Sequence, residues 1–395
     1  MLLDEFVFKI ASRCNLNCSY CYMYNMGDNT YLKQPKVMSI DTVHAFARAL
    51  KRHCQNNAIR RVDIAFHGGE PLLAGKDLIR ETVKIINETV VDVEVKYVIQ
   101  TNGTLLDDDW MDLFNELDIQ VGISIDGPKK FHDMYRVYHN NKGSFDEVVK
   151  GVNVRNNKSI GGLISVVNIK IPPKDLFDFY LSLNARSVNL LLPDCHYDNL
   201  PDGMAKLRDK REAKYGDWLI ELYDIWVSYE KKGRPKIPYF ENIIGMILGL
   251  EKGDELIGKR KNKALTIETD GAIEVVDPLR ICENGFTRNE LNVHKNEISD
   301  IEELPIYQMY YNSHERLCAK CNACPIQTIC GGGYLGHRYS RSNGFDNASI
   351  YCNDIMKMVS HIQRDIFSRL PENILHDLHL EAISYDELFE QTNTL

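Results

Sequence analysis

The chain has 395 residues, a length that suits two domains or one large domain with an appendage. Its hydrophobic share of 44 % is ordinary, no apolar run reaches membrane-spanning length and the first residues lack a signal-peptide pattern, so we expect a cytoplasmic protein without a membrane partner. The net charge of −9, from 47 basic and 56 acidic residues, argues against a nucleic-acid binder, which usually has a basic excess.

Short apolar runs alternate with amphipathic stretches through the first half of the chain. The apolar runs predict buried parallel strands at 6–11, 62–68, 93–100, 119–125, 163–169 and 187–192. The amphipathic stretches predict helices near 40–56, 77–90, 107–117, 144–156 and 173–184, with Ser39 and Asp107 as N-caps. Six such repeats predict an α/β fold, a partial (β/α)6 TIM-like barrel. Functional groups then belong on the loops at the carboxyl ends of the strands.

The second half of the chain has a different pattern. Residues 203–262 are rich in helix formers and predict a helical bridge after a barrel domain at 1–202. Two β-like runs within 265–277 flank Asp270-Gly271, which is a hairpin signal. We therefore predict a cysteine-rich domain at 263–360. A C-terminal region at 361–395 follows, in which the helix of 353–368 ends and residues after 369 form a surface tail.

Eleven cysteines are many for a cytosolic chain, where disulfides are disfavoured. Nine of them form two groups, three at 14–21 and six at 282–352, and clustered cysteines indicate metal binding or catalysis. Cys54 and Cys195 stand apart, and a lone cysteine is usually a small buried hydrophobe.

The first group has the spacing Cys14-x3-Cys18-x2-Cys21 directly after the first predicted strand. Three thiolates in eight residues can hold one corner of a [4Fe–4S] cluster and leave one iron open. The alternative is a structural zinc site, but zinc usually takes four ligands in paired C-x2-C form, and no second pair lies nearby.

This motif, with HGGEPLL (67–73), QTNGTLL (100–106) and SIDGPKKFHDMYR (124–136), resembles the radical S-adenosylmethionine (SAM) superfamily and its SPASM branch of peptide-modifying enzymes. The resemblance implies a [4Fe–4S] cluster and SAM as cofactors, and a 5′-deoxyadenosyl radical as the oxidant. It also implies SAM contacts. The methionyl amino group would meet Gly68, Gly69 and Glu70, the ribose and carboxylate region Ser124 and Arg136, and the adenine Tyr20 and the backbone near Leu190, with Gln100 also at the site.

The run Cys321-x2-Cys324-x5-Cys330-x21-Cys352 resembles the ligands of an auxiliary [4Fe–4S] cluster in SPASM proteins, with structural zinc as the alternative. The cysteines of a second, inner auxiliary cluster are replaced here by Val276-Asp277 and Tyr334. Cys282 and Cys318 remain unassigned. Three roles are open for them. They bind a second cluster together with a non-cysteine group, they have no part in cluster binding, or Cys318 takes the place of a neighbouring cysteine in the one auxiliary cluster.

Residues 330–352 and 12–28 are similar to SPASM enzymes that crosslink ribosomal precursor peptides into cyclophanes, through a C–C bond to an aromatic residue. The implied partners are a precursor peptide and a reductant such as a flavodoxin or ferredoxin. Asp277 is the candidate base because sulfatase-maturing relatives place a proton-accepting aspartate there, although a turn role before Pro278 is the alternative. The other functions considered are anaerobic sulfatase maturation to formylglycine, ether or thioether crosslinking, epimerisation and a non-catalytic cluster-binding regulator.

Overall fold

The computed structural model describes residues 3–155, 157–204, 211–250, 253–377 and 381–393, so the predicted helical bridge at 203–262 lies partly outside them. The chain forms two compact units. The first contains residues 1–166, 185–187 and 263–310, and the second contains 167–184, 188–262 and 311–395. The domain boundaries given above stay a prediction.

The secondary structure in chain order is as follows. The strands are β1 Glu5–Ala11, β2 Arg61–Gly68, β3 Glu94–Thr101, β4 Ile119–Ser124, β5 Ile160–Val166, β6 Val188–Leu191, β7 Ala264–Ile267 and β8 Ile273–Glu274. The helices are α1 Ile40–Asn56, α2 Lys76–Thr89, α3 Asp108–Glu116, α4 Lys129–His132, α5 Phe145–Val152, α6 Pro173–Ser182, α7 Lys214–Ser228, α8 Pro238–Ile247, α9 Pro305–Tyr311, α10 Ala319–Asn322, α11 Gln327–Cys330, α12 Cys352–Ser368, α13 Glu372–Asp377 and α14 Tyr385–Asn393.

The first unit is built on a largely parallel sheet in the order β5-β4-β3-β2-β1-β7-β8. Strands β1 to β5 pair in parallel with their neighbours, which confirms the predicted α/β class. The hairpin of β7 and β8 turns at Gly271, whose φ of 83° favours glycine. Strand β7 also pairs in parallel with β1, from Glu5 opposite Ala264 to Phe8 opposite Ile267. The hairpin therefore belongs to the same unit as β1, which the sequence did not predict.

Local signals explain the helices that flank this sheet. Helix α1 begins after Ser39, whose hydroxyl accepts a hydrogen bond from the Thr42 amide at 3.1 Å. Helix α3 begins after Asp107, whose carboxylate accepts from the Trp110 amide. Both caps agree with the predicted ones. Cys54 is buried near the end of α1, as expected of a lone cysteine.

The second unit contains β6 and a group of helices in which α12 packs against α7, α8 and α14. The prediction of a surface tail at 369–395 is wrong for α14, which buries Leu388 completely and places Thr392 3.8 Å from the Met356 sulfur of α12. The spacing of Leu388 and Thr392 places both on one face of the helix, and that face needs a partner to bury it. Cys195 is buried in this unit.

In the first unit, a fully buried arginine joins the segment after the cysteine loop to the hairpin of β7 and β8. Arg280 is 0 % exposed and donates to Glu268 at 2.6 Å, to Glu274 at 3.0 Å and to Asp28 at 3.3 Å. All three carboxylates are also buried. Because Asp28 follows the cysteine loop and Glu274 lies on β8, this cation holds the two segments together.

Replacing Arg280 with Met is expected to lower the free energy of unfolding by about 3–5 kcal/mol, because three buried carboxylates lose the charge of Arg280 and Glu274 keeps only its pair with Arg288 at 2.7 Å. Urea unfolding under anaerobic conditions measures the loss. The matched control is Arg61→Met, which removes an exposed pair with Asp63 and is expected to cost less than about 1 kcal/mol. Equal effects of the two substitutions would contradict this role of Arg280.

In the part of the chain that the structure describes, we find no helix that is both long and apolar enough to cross a membrane.

Candidate active site

The three cysteines of the first group lie on the loop that follows β1. Cys18 is buried, and Cys14 and Cys21 are half-buried. Burial raises the pKa of all three thiols, that of Cys21 to about 12, and the charges of neighbouring thiols raise the pKa of Cys14 and Cys21 further. This mutual influence agrees with three sulfur atoms held on one short loop.

The cysteine loop fits an iron–sulfur cluster chemically. The Leu16 amide lies 3.3 Å from the Cys14 sulfur, and the amides of Met23 and Tyr24 donate to the sulfur of Cys21. Hydrogen bonds to sulfur are among the interactions that tune such clusters. Buried thiols with raised pKa values stay protonated by themselves, and coordination to iron is what would deprotonate them. The group that the motif implies therefore suits this loop.

Loops at the carboxyl ends of β1, β2 and β3 meet at Glu70. Its buried carboxylate accepts hydrogen bonds from the Leu72 amide at 3.0 Å, the Thr101 hydroxyl at 2.7 Å and the Asn102 amide at 2.7 Å. The Asn102 side chain in turn reaches 3.7 Å from the Cys14 sulfur. Glu70 thus holds the strand-end loops together, and an ionised carboxylate keeps about one further acceptor position for a ligand.

The glycine pair before Glu70 permits close backbone approach within the protein. A β-carbon on Gly68 would lie 1.8 Å from the Ala11 carbonyl oxygen, and one on Gly69 would lie 2.0 Å from the Tyr24 hydroxyl. Any larger residue would push β2 away from the cysteine loop. The pair is therefore required by the fold of this site, whether or not it also contacts SAM.

Tyr20, Asp126 and Arg136 form a buried polar group next to the cysteines. The Tyr20 hydroxyl donates to Asp126, and the Arg136 guanidinium donates to the Tyr20 oxygen at 2.9 Å. The Arg136 charge also lowers the pKa of Cys18 against the effect of burial. Within the described residues, the buried Nε of Arg136 has no hydrogen-bond partner. An unpaired guanidinium donor suits an anionic ligand such as the carboxylate of SAM.

The remaining predicted SAM contacts divide between the two units. Gln100 at the end of β3 donates to the Ser124 hydroxyl at the end of β4, at 2.8 Å. Leu190 belongs to the second unit, where it lines a small pocket with Tyr239, Tyr334, His337 and other residues. Asp126 lies within the 124–136 motif but was not predicted as a site residue; it is buried and accepts a hydrogen bond from Tyr20.

Asp277 lies in a buried cluster with Lys9, His67 and Tyr22. Lys9 pairs with its Oδ2 atom, Tyr22 donates to the same oxygen at 2.7 Å, and His67 Nδ1 lies 3.9 Å from it. Burial raises the pKa of Asp277, but Lys9, His67 and the two hydrogen bonds outweigh it and hold the pKa well below its usual value. Asp277 is therefore ionised at neutral pH.

In the second unit, four cysteines of the C-terminal group line one pocket: Cys321, Cys324, Cys330 and Cys352. Burial is the largest influence on the thiols of Cys330 and Cys352 and raises their pKa values to about 12 and about 11. Amides donate to Cys324 and Cys330, as they do to Cys14 and Cys21 in the first unit. The buried Arg338 guanidinium faces the sulfurs. Four gathered thiols with amide donors and a nearby cation suit an anionic cluster.

The two unassigned cysteines differ in their surroundings. Cys318 hydrogen-bonds to Cys321 beside the four-cysteine pocket, whereas Cys282 is buried in the first unit after the turn that begins at Asp277. Among the described residues, no three His, Cys, Asp or Glu side chains are arranged to hold a single metal ion.

Comparison with known proteins agrees with this site. Residues 8–176 match the family model of the Radical SAM superfamily. The cysteine-type anaerobic sulfatase-maturating enzyme of Clostridium novyi (strain NT) is 26 % identical over 359 residues, which cover 89 % of this chain and 92 % of the relative. The structure of native anSMEcpe with bound AdoMet and Cp18Cys peptide has a TM-score of 0.76 at 21 % identity, over 95 % of this chain and 99 % of that one. That of Streptococcus suis SuiB bound to precursor peptide SuiA has a TM-score of 0.56 at 16 % identity, over 88 % and 75 %.

The chain therefore carries a radical SAM domain, is homologous to anaerobic sulfatase-maturating enzymes and is itself an enzyme. A radical SAM domain uses a [4Fe–4S] cluster and SAM as its cofactors. The cyclophane-forming subset has no specific support in these comparisons.

Proposed function

We propose that this enzyme, with its radical SAM domain, removes one hydrogen from an aliphatic side-chain carbon and one from an aromatic ring of a ribosomally made peptide. The two carbons are thereby joined in an intramolecular crosslink. The observation that carries the proposal is the buried, ionised Asp277, which accepts a hydrogen bond at 2.7 Å from Tyr22, the residue that follows Cys21. Joining an aliphatic carbon to a ring carbon releases one hydrogen atom, one electron and one proton, so the site needs a proton acceptor.

The residues of the first unit would divide the work. Cys14, Cys18 and Cys21 would hold the cluster, and Arg136 would bind the carboxylate of SAM. When bound, the cluster and SAM supply the one-electron chemistry that removes a hydrogen atom from the substrate. Asp277 would accept the substrate proton, since a carboxylate accepts whenever it is ionised.

In the second unit, Cys321, Cys324, Cys330 and Cys352 would hold the auxiliary cluster as the acceptor of the substrate electron. The four thiolates would leave no iron open, which suits electron transfer rather than substrate binding. A reductant such as a flavodoxin or ferredoxin would supply electrons to the first site. Of the two remaining cysteines, Cys318 would be able to replace a ligand of the auxiliary cluster, because it hydrogen-bonds to Cys321. Cys282 would be a small buried hydrophobic residue.

A second candidate is sulfatase maturation, in which a cysteine or serine is oxidised to formylglycine. The end-to-end likeness to a cysteine-type sulfatase-maturating enzyme favours it. It also needs a proton acceptor, so Asp277 serves both reactions.

Mass spectrometry of two substrates separates the candidates. The anaerobically reconstituted enzyme is incubated with SAM, a reductant and either an aromatic-containing precursor peptide or a cysteine-containing sulfatase peptide. A crosslinked peptide has lost two hydrogens, resists fragmentation between the joined residues and does not react with a hydrazine. A formylglycine peptide forms a hydrazone. A hydrazone with the sulfatase peptide and no change in the other would replace the crosslinking proposal.

Tyr20→Phe is expected to raise the KM for SAM by about tenfold, because Arg136 and Asp126 lose the hydroxyl that joins them. Steady-state formation of 5′-deoxyadenosine measures it. Tyr97→Phe is the matched control, since it also removes a buried-tyrosine hydrogen bond, to Asn87 at 2.8 Å. A Tyr20→Phe enzyme with wild-type KM would remove this polar group from the SAM site.

A further inference from the structure

Lys9 is a completely buried lysine in the middle of β1. Its ammonium has three hydrogens and meets three acceptors: Asp277 Oδ2, His67 Nδ1 at 3.2 Å and the Met23 sulfur at 3.4 Å. Lysine is almost never fully buried unless it is paired. The environment on this strand is therefore built around a charged ammonium.

The Lys9 ammonium determines which carboxylate oxygen of Asp277 is left to accept a further hydrogen bond. Its Oδ2 atom is occupied by Lys9 and Tyr22. Among the residues that the structure describes, none donates a hydrogen bond to Oδ1. The free acceptor of this carboxylate is therefore Oδ1.

The same ammonium fixes the tautomer of His67. An ammonium only donates, so His67 Nδ1 must accept, and the hydrogen of the neutral ring lies on Nε2. Burial and then Lys9 lower the pKa of His67 to about 4, so the ring is neutral near pH 7. Its side chain is 25 % exposed, which leaves it open to a ligand.

We infer that Lys9 is a positioning residue that sets two substrate contacts at once: Asp277 Oδ1 as the proton acceptor and His67 Nε2–H as a hydrogen-bond donor. The matching substrate group is a peptide segment with a carbonyl, hydroxyl or thiol acceptor next to the carbon that is oxidised. This inference rests on the proposed peptide oxidation and adds how the acceptor is kept charged inside the protein.

Other charged groups face this cluster and must be controlled. Asp277 faces Lys9, His67 and Tyr22 directly, and it also influences Arg280 and Glu268. Burial raises the pKa of Glu268 to about 7, and Lys9 opposes that rise. A pH profile therefore needs a Glu268→Gln enzyme beside it.

The first test is Lys9→Met in the holoenzyme, with peptide product per 5′-deoxyadenosine measured from about pH 6 to about pH 9. Without the cation, burial raises the pKa of Asp277, so the ratio should fall about tenfold for each pH unit below the new pKa and recover above it. The wild-type ratio should not fall on the acid side, and SAM cleavage should stay within about twofold.

The control is Lys263→Met, which removes a partly buried ion pair with Asp4 at 3.2 Å in the same unit. It should leave the profile unchanged. A Lys9→Met profile that overlays the wild-type one, or one that Glu268→Gln reproduces, would overturn the inference.

A second test does not depend on whether Lys9→Met folds. His67→Gln can accept from Lys9 and still donate outward, whereas His67→Leu can do neither. We expect His67→Gln to keep the peptide KM within about threefold and His67→Leu to raise it by about tenfold or more. Equal KM values for the two variants would overturn the donor role of His67.

A third readout needs no peptide. The infrared difference between Lys9→Met and Lys9→Met/Asp277→Asn should contain the carbonyl band of a protonated carboxylic acid, and that between wild type and Asp277→Asn should not. Failure to modify any peptide would defeat the proposed function alone. Absence of the band would defeat the inference alone.

Discussion

Cys18→Ala is expected to reduce reductive SAM cleavage by at least about 100-fold, because removing a metal ligand costs more than removing its outer partners, which already cost about 10- to 100-fold. Cys18 is the buried member of its group, and it faces the charge of Arg136. Its loss would leave Cys14 and Cys21, too few thiolates to hold the cluster. Formation of 5′-deoxyadenosine and iron content are the two measurements.

Iron content makes this prediction specific. Two clusters correspond to about eight iron atoms per chain, so Cys18→Ala should retain about four. Cys330→Ala should also retain about four iron atoms but lose the auxiliary cluster, because it removes one of the four thiols that line the pocket in the second unit. Cys54→Ala is the matched control, since Cys54 is buried in α1 and belongs to neither cysteine group, and it should keep all iron. A Cys18→Ala enzyme with wild-type iron and activity would exclude the cysteine loop as the cluster site.

Asp277→Asn is expected to lower peptide product per 5′-deoxyadenosine by about 100-fold or more, because it removes the proton acceptor and leaves an amide that cannot replace it. SAM cleavage should persist, because Asp277 takes no part in the contacts of Cys14, Cys18, Cys21 or Arg136 described above. Quantifying both products in one reaction measures the uncoupling.

Two results define the outcome for Asp277. Asp63→Asn is the control, since Asp63 lies on β2 in the same sheet but is half exposed and pairs with Arg61, and its product ratio should match wild type. If Asp277→Asn also keeps the wild-type ratio, another group accepts the proton and the turn role of Asp277 before Pro278 is sufficient.

Local patterns were enough to predict most of the sheet and its flanking helices. Helix α1 begins and ends where the sequence placed it, because Ser39 is a strong N-cap and the apolar face is continuous. The hairpin at Asp270-Gly271 was also predicted, because its turn needs a residue with positive φ. The spacing of the first three cysteines and the resemblance of the C-terminal run to SPASM proteins selected the two sets of thiols that the structure brings together.

Long-range pairing was beyond the reach of the sequence pattern. Lys9 interrupts the apolar run of β1 and was the one visible signal of a buried charge, but its partner Asp277 lies 268 residues away. The two meet because β7 pairs with β1, and nothing local in either strand specifies that register. The same reason hides the roles of His67 and Asp126, whose partners come from other loops.

The burial of α14 was missed for a related reason. A short amphipathic helix near a chain end looks like a tail unless its partner surface is known. Here the partner is α12, which shares its other faces with α7 and α8.

The most direct test of the account is the anaerobic reaction of the reconstituted enzyme with SAM, a reductant and a candidate precursor peptide. The account predicts about one 5′-deoxyadenosine for each peptide that loses two hydrogens. The 5′-deoxyadenosyl radical takes one of them as a hydrogen atom, and the other leaves as a proton and an electron. Fragmentation then locates the joined residues. Full iron content without any SAM cleavage would contradict the central claim and leave both cysteine groups as structural metal ligands.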